Sequence, residues 1–158
     1  MDNVYINILT DSLKEKLKIL EEIEAVDDRE TALLAEDNTD LKAFNENMDK
    51  KSVLIERLDR LDDGFEDTYS RVKAELGINK DKYRAEIKAM QELIGKISEK
   101  TVRIEAVEAR NRETVQNKFR ARRMELKGKR TSVKVANAYS DNMRRINKID
   151  SFFVDKKK

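Results

Sequence analysis

The most constraining feature of this sequence is a run of apolar residues, spaced three or four apart, that continues from Leu41 to Leu76. Such spacing places them on one face of an α-helix, and its persistence for about five heptads is typical of a coiled coil. Two seam positions, Lys51 and Asp62, are polar, and buried polar seam residues can fix helix register at a cost in stability. The predicted seam consists of Leu41, Phe44, Met48, Lys51, Ile55, Leu58, Asp62, Phe65, Tyr69, Val72 and Leu76.

Short polar segments bound this helix. Asn38 or Thr39 is the expected N-cap, because a short oxygen-bearing side chain can accept a hydrogen bond from a free N–H of the first turn. At the other end, Gly77 suits the left-handed residue that follows a helix, and Ile78 can pack back on the last turn. Asn79 can cap the next helix. Because the connection is so short, we expect the next helix to run antiparallel to this one.

Two further helices flank this element. The first is predicted from about Asn3 to Ala25 and is followed by an acidic hinge at residues 27–30 and a short helical turn. The third is predicted from Lys80 to the stop at Gly128. The apolar positions of the first helix are Ile6, Leu9, Leu13, Leu17, Leu20 and Ile23. The seam of the third is Tyr83, Ile87, Met90, Ile94, Ile97, Thr101, Ile104, then the weaker positions Glu108 and Asn111, and finally Val115 and Phe119.

The last segment, residues 129–158, is predicted to form a fourth, amphipathic helix capped by Thr131 or Ser132. Asp150 interrupts its apolar stripe. The helix can pack permanently into the bundle, or it can act as a detachable element that receives a partner helix. Phe152 and Phe153 lie on different faces of this predicted helix, which favours the detachable, partner-binding element. The candidate partner-binding residues are Val135, Tyr139, Met143, Ile146, Ile149, Phe152 and Phe153.

The composition agrees with an all-α fold. Proline is absent, only four glycines occur, and 42% of the residues are charged while 6% are aromatic. A thin seam between paired helices needs fewer bulky residues than a globular core. We therefore predict an elongated antiparallel helical hairpin, or coiled coil, with a packed N-terminal helix and a C-terminal amphipathic helix. Residues 1–128 would form the bundle, and residues 129–158 would form an interaction segment.

Several classes of function are disfavoured. The chain has no histidine and no cysteine, and it contains no nucleophile elbow, phosphate-binding loop or dinucleotide fingerprint. Asp62 and Asp63 are adjacent, so on a helix they point about 100° apart and do not form a carboxylate pair. We expect no catalytic residues, no metal and no cofactor.

No apolar run is long enough to span a bilayer, and the first residues lack a basic secretory signal, so we expect a cytoplasmic protein without direct membrane insertion.

The charge is divided unevenly along the chain. Residues 1–80 carry 12 Lys/Arg and 21 Asp/Glu, whereas residues 81–158 carry 22 and 11. A basic stretch at residues 110–134 could follow a phosphate backbone, but it contains a single aromatic residue for base stacking, Phe119. We instead expect it to neutralise the acidic hinge, formed by Asp27, Asp28, Glu30, Glu36 and Asp37. The prediction is therefore no nucleic-acid partner.

Three short stretches stand out once these segments are placed. They are Leu-Leu-Ala-Glu-Asp at residues 33–37, the stretch from Leu54 to Phe65 followed by Tyr69, and the closing Ala138-Tyr139 with residues 153–157. In these stretches, which are spread over most of its length, the chain resembles the FlgN-type flagellar export chaperones.

That resemblance implies a role. Such chaperones bind the C-terminal helices of the hook-associated proteins of the hook–filament junction and deliver them to a component of the membrane export gate. It places substrate binding in residues 132–153, and it makes Tyr139 the candidate for docking at the gate. The protein would be a monomer or a weak homodimer. The alternative is a structural coiled-coil scaffold or spacer, which would need neither Tyr139 nor the C-terminal stripe.

Overall fold

The computed structural model describes residues 2–118 and Arg144. Within this range the chain forms three α-helices: α1 (Asp2–Ala35), α2 (Leu41–Ile78) and α3 (Arg84–Lys118). At 1.5 Å per residue, each helix is about 50 to 57 Å long. The predicted all-α fold is confirmed, and α3 extends to the limit of the described range.

The side-chain contacts between helices give their directions. Lys16 pairs with Asp62 and Asp27 pairs with Lys51, so partners on α2 come earlier in the sequence as α1 advances. These two helices are therefore antiparallel. In contrast, Glu24 pairs with Lys100 and the carbonyl of Leu34 accepts from Lys118, which makes α1 and α3 parallel. It follows that α2 and α3 are antiparallel, as predicted.

The first helix is more central than the sequence indicated. Both α2 and α3 pack along α1, whereas no Cα of α2 lies within 8 Å of a Cα of α3. The two helices of the predicted hairpin, α2 and α3, therefore contact each other only through side chains. Both of them pack directly on α1.

The predicted seams of α2 and α3 form the core. Every seam position of α2 is buried except Leu41, which is half-buried. Every seam position of α3 within the described range is buried too. Most of the apolar residues belong to one cluster that spans the three helices. A smaller cluster lies near the α1–α2 connection and consists of Leu34, Phe44, Met48 and Val115, with Leu41 against it.

The expected acidic hinge after residue 25 is wrong, because α1 continues without a break to Ala35. The carboxylates of Asp27 and Glu30 lie on its inward face and are 1% exposed. They stay helical because they have a buried cationic partner, Lys51, on α2. The N-cap of α2 is Asp40, whose side chain accepts from the N–H of Ala43, and neither expected cap residue takes this role.

The turn between α2 and α3 also differs from the prediction. Gly77 remains inside α2, and no glycine with a positive φ occurs in the described part of the chain. Instead, Asn79 is the C-cap, and both its backbone N–H and its side-chain amide donate to the carbonyl of Glu75. Because Asn79 satisfies this end of the helix, a left-handed glycine is not needed. Ile78 is 83% exposed, so it does not pack back on the last turn.

Candidate functional site: a buried ion-pair layer and the C-terminal segment

The candidate partner-binding residues lie outside the described residues. This applies to Val135, Tyr139, Met143, Ile146, Ile149, Phe152 and Phe153, and so their assignment stays a prediction. The described bundle contains a different feature that the sequence only partly revealed, which is a layer of charged residues in its core.

Lys51 of α2 lies at the centre of this layer. Its Nζ is 2.9 Å from Asp27 Oδ1 and 2.8 Å from Glu30 Oε2, both on α1. The same atom is 2.7 Å from Glu108 Oε1 on α3. The Lys51 side chain is fully buried, and the three carboxylates are at most 5% exposed. A single ammonium group thus connects all three helices.

Amide side chains complete the layer. Asn111 of α3 donates through Nδ2 to Glu30 Oε2 at 3.1 Å, and its Oδ1 accepts from the hydroxyl of Thr31. On α2, Asn47 donates to the carbonyl of Val26 at 2.9 Å. These bonds matter because a buried polar group without a partner costs about 1 to 3 kcal/mol. The layer lies between the large apolar cluster and the small one at the α1–α2 connection.

Burial changes the protonation of this layer. Burial, followed by the hydrogen bond to Glu108, raises the pKa of Asp27 to about 9. As a carboxylate, Asp27 would have an Oδ2 that accepts no hydrogen bond within the described residues. When protonated it can instead donate to Glu108, so the neutral acid is favoured at neutral pH. Burial also raises the pKa of Glu30.

Lys51 remains charged in this setting. Burial alone would lower its pKa, but the negative charges of Glu108 and Glu30 outweigh this effect and raise the pKa above its usual value. The layer thus contains one cation that is shared among three carboxyl groups, of which Asp27 is neutral at pH 7.

Three carboxyl groups this close could hold a metal ion, since one oxygen from each of Asp27, Glu30 and Glu108 lies within 4.8 Å of the others. The space between them is taken by the ammonium of Lys51, which contacts all three at 2.7 to 2.9 Å. Because these groups are also closed to solvent, the layer has a structural role: it fixes the register of the three helices.

A second buried ion pair lies further along the bundle. Lys16 Nζ of α1 is 2.8 Å from Asp62 Oδ1 of α2, with side chains 3% and 8% exposed. Asp63, the next residue, is exposed. The polar seam positions predicted to fix register, Lys51 and Asp62, therefore both have an oppositely charged partner on α1.

Sequence reasoning missed the α1 half of these pairs. The predicted stripe of the first helix runs through Leu17 and ends at Ile23, and residues 27–30 are assigned to a hinge, so Lys16, Asp27 and Glu30 are absent from it. The signal was nevertheless present, since steps of three and four connect Leu9, Leu13, Lys16, Leu20, Ile23, Asp27, Glu30 and Leu34. The heptad of α1 continues through the charged residues.

The expected neutralisation of residues 27–37 by the basic stretch takes another form in the described range. Asp27 and Glu30 pair with Lys51 of α2. Lys118 donates to the carbonyls of Leu34 and Glu36 and to the hydroxyl of Thr39. It therefore satisfies free carbonyl groups at the C-terminal end of α1. Residues 119–134 of the basic stretch lie outside the described residues.

Comparison with known families identifies the chain. The family model described as "FlgN protein" matches residues 1–144, which include all three helices and continue beyond them. Searches of curated proteins and of solved structures give no match. No helix in the described range is both long and apolar enough to cross a membrane. The family is one of chaperones that bind flagellar export substrates, and it is not a family of enzymes. On the family match, the chain belongs to the FlgN family of flagellar export chaperones.

Proposed function

We propose that this chain is a cytoplasmic chaperone that binds the C-terminal helix of hook-associated flagellar proteins through residues 132–153 and delivers them to the export gate. The observation that carries the proposal is the family match, which includes the bundle and continues to residue 144. The proposal divides the chain into a bundle, residues 1–128, and an interaction segment, residues 129–158.

The burial of the bundle's core side chains supports a substrate-binding site outside the core. The apolar seam residues of α1, α2 and α3 are already buried against one another, at 8% exposure or less for the core cluster. A substrate helix that entered this core would also have to separate Lys51 from three carboxyl groups. Breaking a buried ion pair costs about 3 to 5 kcal/mol, so insertion into this layer is unfavourable.

The C-terminal segment has the chemistry for capturing a helix. The predicted apolar stripe consists of Val135, Tyr139, Met143, Ile146 and Phe153, which fall within about 40° of one direction at 100° per residue. An amphipathic helix with such a stripe can pack against the apolar face of a partner helix. A captured substrate helix is protected from aggregation. Release at the gate requires moderate affinity, and Asp150 beside the stripe limits how tightly the two apolar faces can pack.

Two single substitutions separate capture from delivery. Met143→Ala should weaken binding of the substrate's C-terminal helix, because it removes an apolar contact. Tyr139→Ala should largely retain that binding and impair export in cells. Titration calorimetry with the substrate protein measures the first effect, and the amount of hook-associated protein secreted measures the second. Normal binding and normal secretion in both variants would move capture and docking to other residues, whereas a lack of substrate binding by the unsubstituted chain would favour the structural spacer over the chaperone.

A further inference from the structure

A cleft of about 300 Å³ lies between α1 and α3. Ala106 and Val107 of α3 give its lining an apolar strip, and Ala106 is exposed. Charged side chains border this strip, with Asp28 on the α1 wall and Arg103 and Arg110 on the α3 wall. Apolar surface with a charged rim is typical of a contact between proteins.

The two walls carry opposite charges. On α1, Glu21 precedes Asp28 by seven residues, so the two lie on the same face of the helix, and both are exposed. On α3, Arg103 and Arg110 are also seven residues apart and exposed. Within residues 2–118, none of these four side chains has an ion-pair or hydrogen-bond partner. Two acids and two arginines are therefore available to a partner molecule.

The two rows of charge lie at matching heights along the bundle. Because α1 and α3 are parallel, the contacts between them give the alignment, and two such contacts span 76 and 81 positions. Arg103 is therefore level with residues 22–27 of α1, and Arg110 is level with residues 29–34. Each arginine lies about 2 to 9 Å further along the bundle than the corresponding acid, Glu21 or Asp28. A long arginine side chain can bridge an offset of this size.

We propose that this cleft is the contact surface of a homodimer, in which α1 of each copy packs against α3 of the other. The two-fold axis runs parallel to the helices. Such an axis exchanges the two walls and leaves the height of every residue unchanged. Glu21 and Asp28 of one copy then pair with Arg103 and Arg110 of the second copy, and the same two pairs form again across the axis.

The charge pattern favours this arrangement over two others. A two-fold axis across the helices would place α1 against α1 and α3 against α3, so that acids face acids and arginines face arginines. Like charges that face each other at an interface are unfavourable. A different protein would need both rows of charge at these heights, whereas a second copy already carries them.

Small side chains at mid-height permit a close approach. Ala25 is exposed on α1 between the two acids, and Ala106 is exposed on α3 between the two arginines. The distance between packed helices depends on the side chains at the contact, so alanines allow a short one. The charged pairs then form a rim around an apolar centre. The pairing involves only α1 and α3, and it is independent of where the substrate binds.

Charge reversal in the full chain tests the pairing. Sedimentation velocity should show a dimer of the unsubstituted chain that dissociates as salt is added, because exposed charge pairs are screened. Glu21→Arg with Asp28→Arg, and separately Arg103→Glu with Arg110→Glu, should each weaken dimerisation by roughly tenfold or more, since like charges then face each other. An equimolar mixture of the two variants should restore the dimer, because their walls are complementary.

The matched control is Arg60→Glu with Arg71→Glu, at two exposed positions of α2. It changes the net charge by the same amount as the arginine variant and should leave dimerisation unchanged. Equal weakening by this control, or a dimer that neither cleft variant weakens, would overturn the inference. A chain that stays monomeric at low salt would also overturn it and would leave the two arginines of the cleft to an acidic helix of another protein.

Distances between spin labels test the direction of the axis without altering any charge. The chain has no cysteine, so Ala85→Cys and Ala106→Cys, both at exposed positions of α3, each carry a single label. With an axis parallel to the helices every label is level with its counterpart, and both sites should give distances below about 30 Å. An antiparallel dimer centred on the cleft would give about 60 Å at Ala85, and that result would contradict the proposed pairing.

Discussion

Lys51 Nζ lies 2.7 Å from Glu108 Oε1, and this contact joins α2 to α3 across a gap in which no two Cα atoms approach within 8 Å. Because Asp27 and Glu30 of α1 converge on the same ammonium group, one lysine determines how three helices align. A shift of any helix by one turn would leave charges buried without partners. The layer therefore specifies register in a way that an apolar seam alone cannot.

Removing the central cation should be costly. In Lys51→Ala the carboxylates of Glu30 and Glu108 remain buried without the ammonium, and we expect a loss of about 3 to 5 kcal/mol in the free energy of unfolding. Lys50→Ala, at the exposed neighbouring position, should change it by no more than about 0.5 kcal/mol. Urea denaturation followed by circular dichroism measures both. Similar losses in the two variants would mean that the layer does not stabilise the bundle.

The raised pKa of Asp27 predicts that stability falls as pH rises. The carboxyl is ionised above about pH 4 in the unfolded chain, whereas it keeps its proton up to about pH 9 in the folded protein. Between these values the folded state binds more protons, so the free energy of unfolding decreases with pH by at most about 1.4 kcal/mol per unit from this group. Urea midpoints measured from pH 6 to 9 should therefore decline.

Asp27→Asn isolates this contribution. Asparagine resembles the protonated acid in shape and in its ability to donate to Glu108, so the variant should be nearly as stable as the unsubstituted protein at pH 7. Its stability should vary less between pH 6 and 9, because the titrating group is gone. A decline with pH that is as steep in the variant as in the unsubstituted protein would show that Asp27 does not retain its proton.

Two adjacent aspartates offer a comparison of a buried site with an exposed one. Asp62→Ala removes a buried carboxylate that lies 2.8 Å from Lys16 Nζ, and it should cost about 3 kcal/mol or more. Asp63→Ala changes an exposed residue, and we expect an effect below about 1 kcal/mol. Thermal unfolding distinguishes the two, and a larger loss in Asp63→Ala would argue against the pairing of Lys16 with Asp62.

The heptad assignment of α2 predicts strong sensitivity to insertions. Two residues added after Glu56 rotate the remainder of the helix by about 200° and turn its buried residues toward solvent. The same insertion after Asp37, in the connection between α1 and α2, should be tolerated because it shifts no seam. The melting temperature should drop sharply for the first variant only, and equal melting temperatures would count against the seam.

The sequence predicted the helices better than their arrangement. The seams of α2 and α3 followed from apolar spacing, which depends on one chain segment at a time. The central position of α1 did not follow, because which two helices lie furthest apart depends on the packing of all three. The expected left-handed Gly77 failed for a local reason: Asn79 caps α2 with its backbone and its side chain, so another cap takes the place of glycine.

The polar layer was only half predictable. Lys51 and Asp62 interrupt an otherwise apolar seam, and this marks them as buried. Asp27 and Glu30 belong to an acidic stretch with exposed neighbours such as Asp28, and such stretches are usually solvated. Their burial depends on a lysine that is more than 20 residues away in the sequence and adjacent only after folding. Spacing within one helix cannot reveal a partner on another.

The central claim is that residues 129–158 capture the substrate, and truncation after Gly128 tests it most directly. The truncated chain should keep the helical circular dichroism and the cooperative unfolding of the three-helix bundle. Titrated with a hook-associated protein whose C-terminal helix is intact, it should show no binding, whereas the full chain binds. Full affinity in the truncated chain would contradict the account and would move the substrate site onto the bundle.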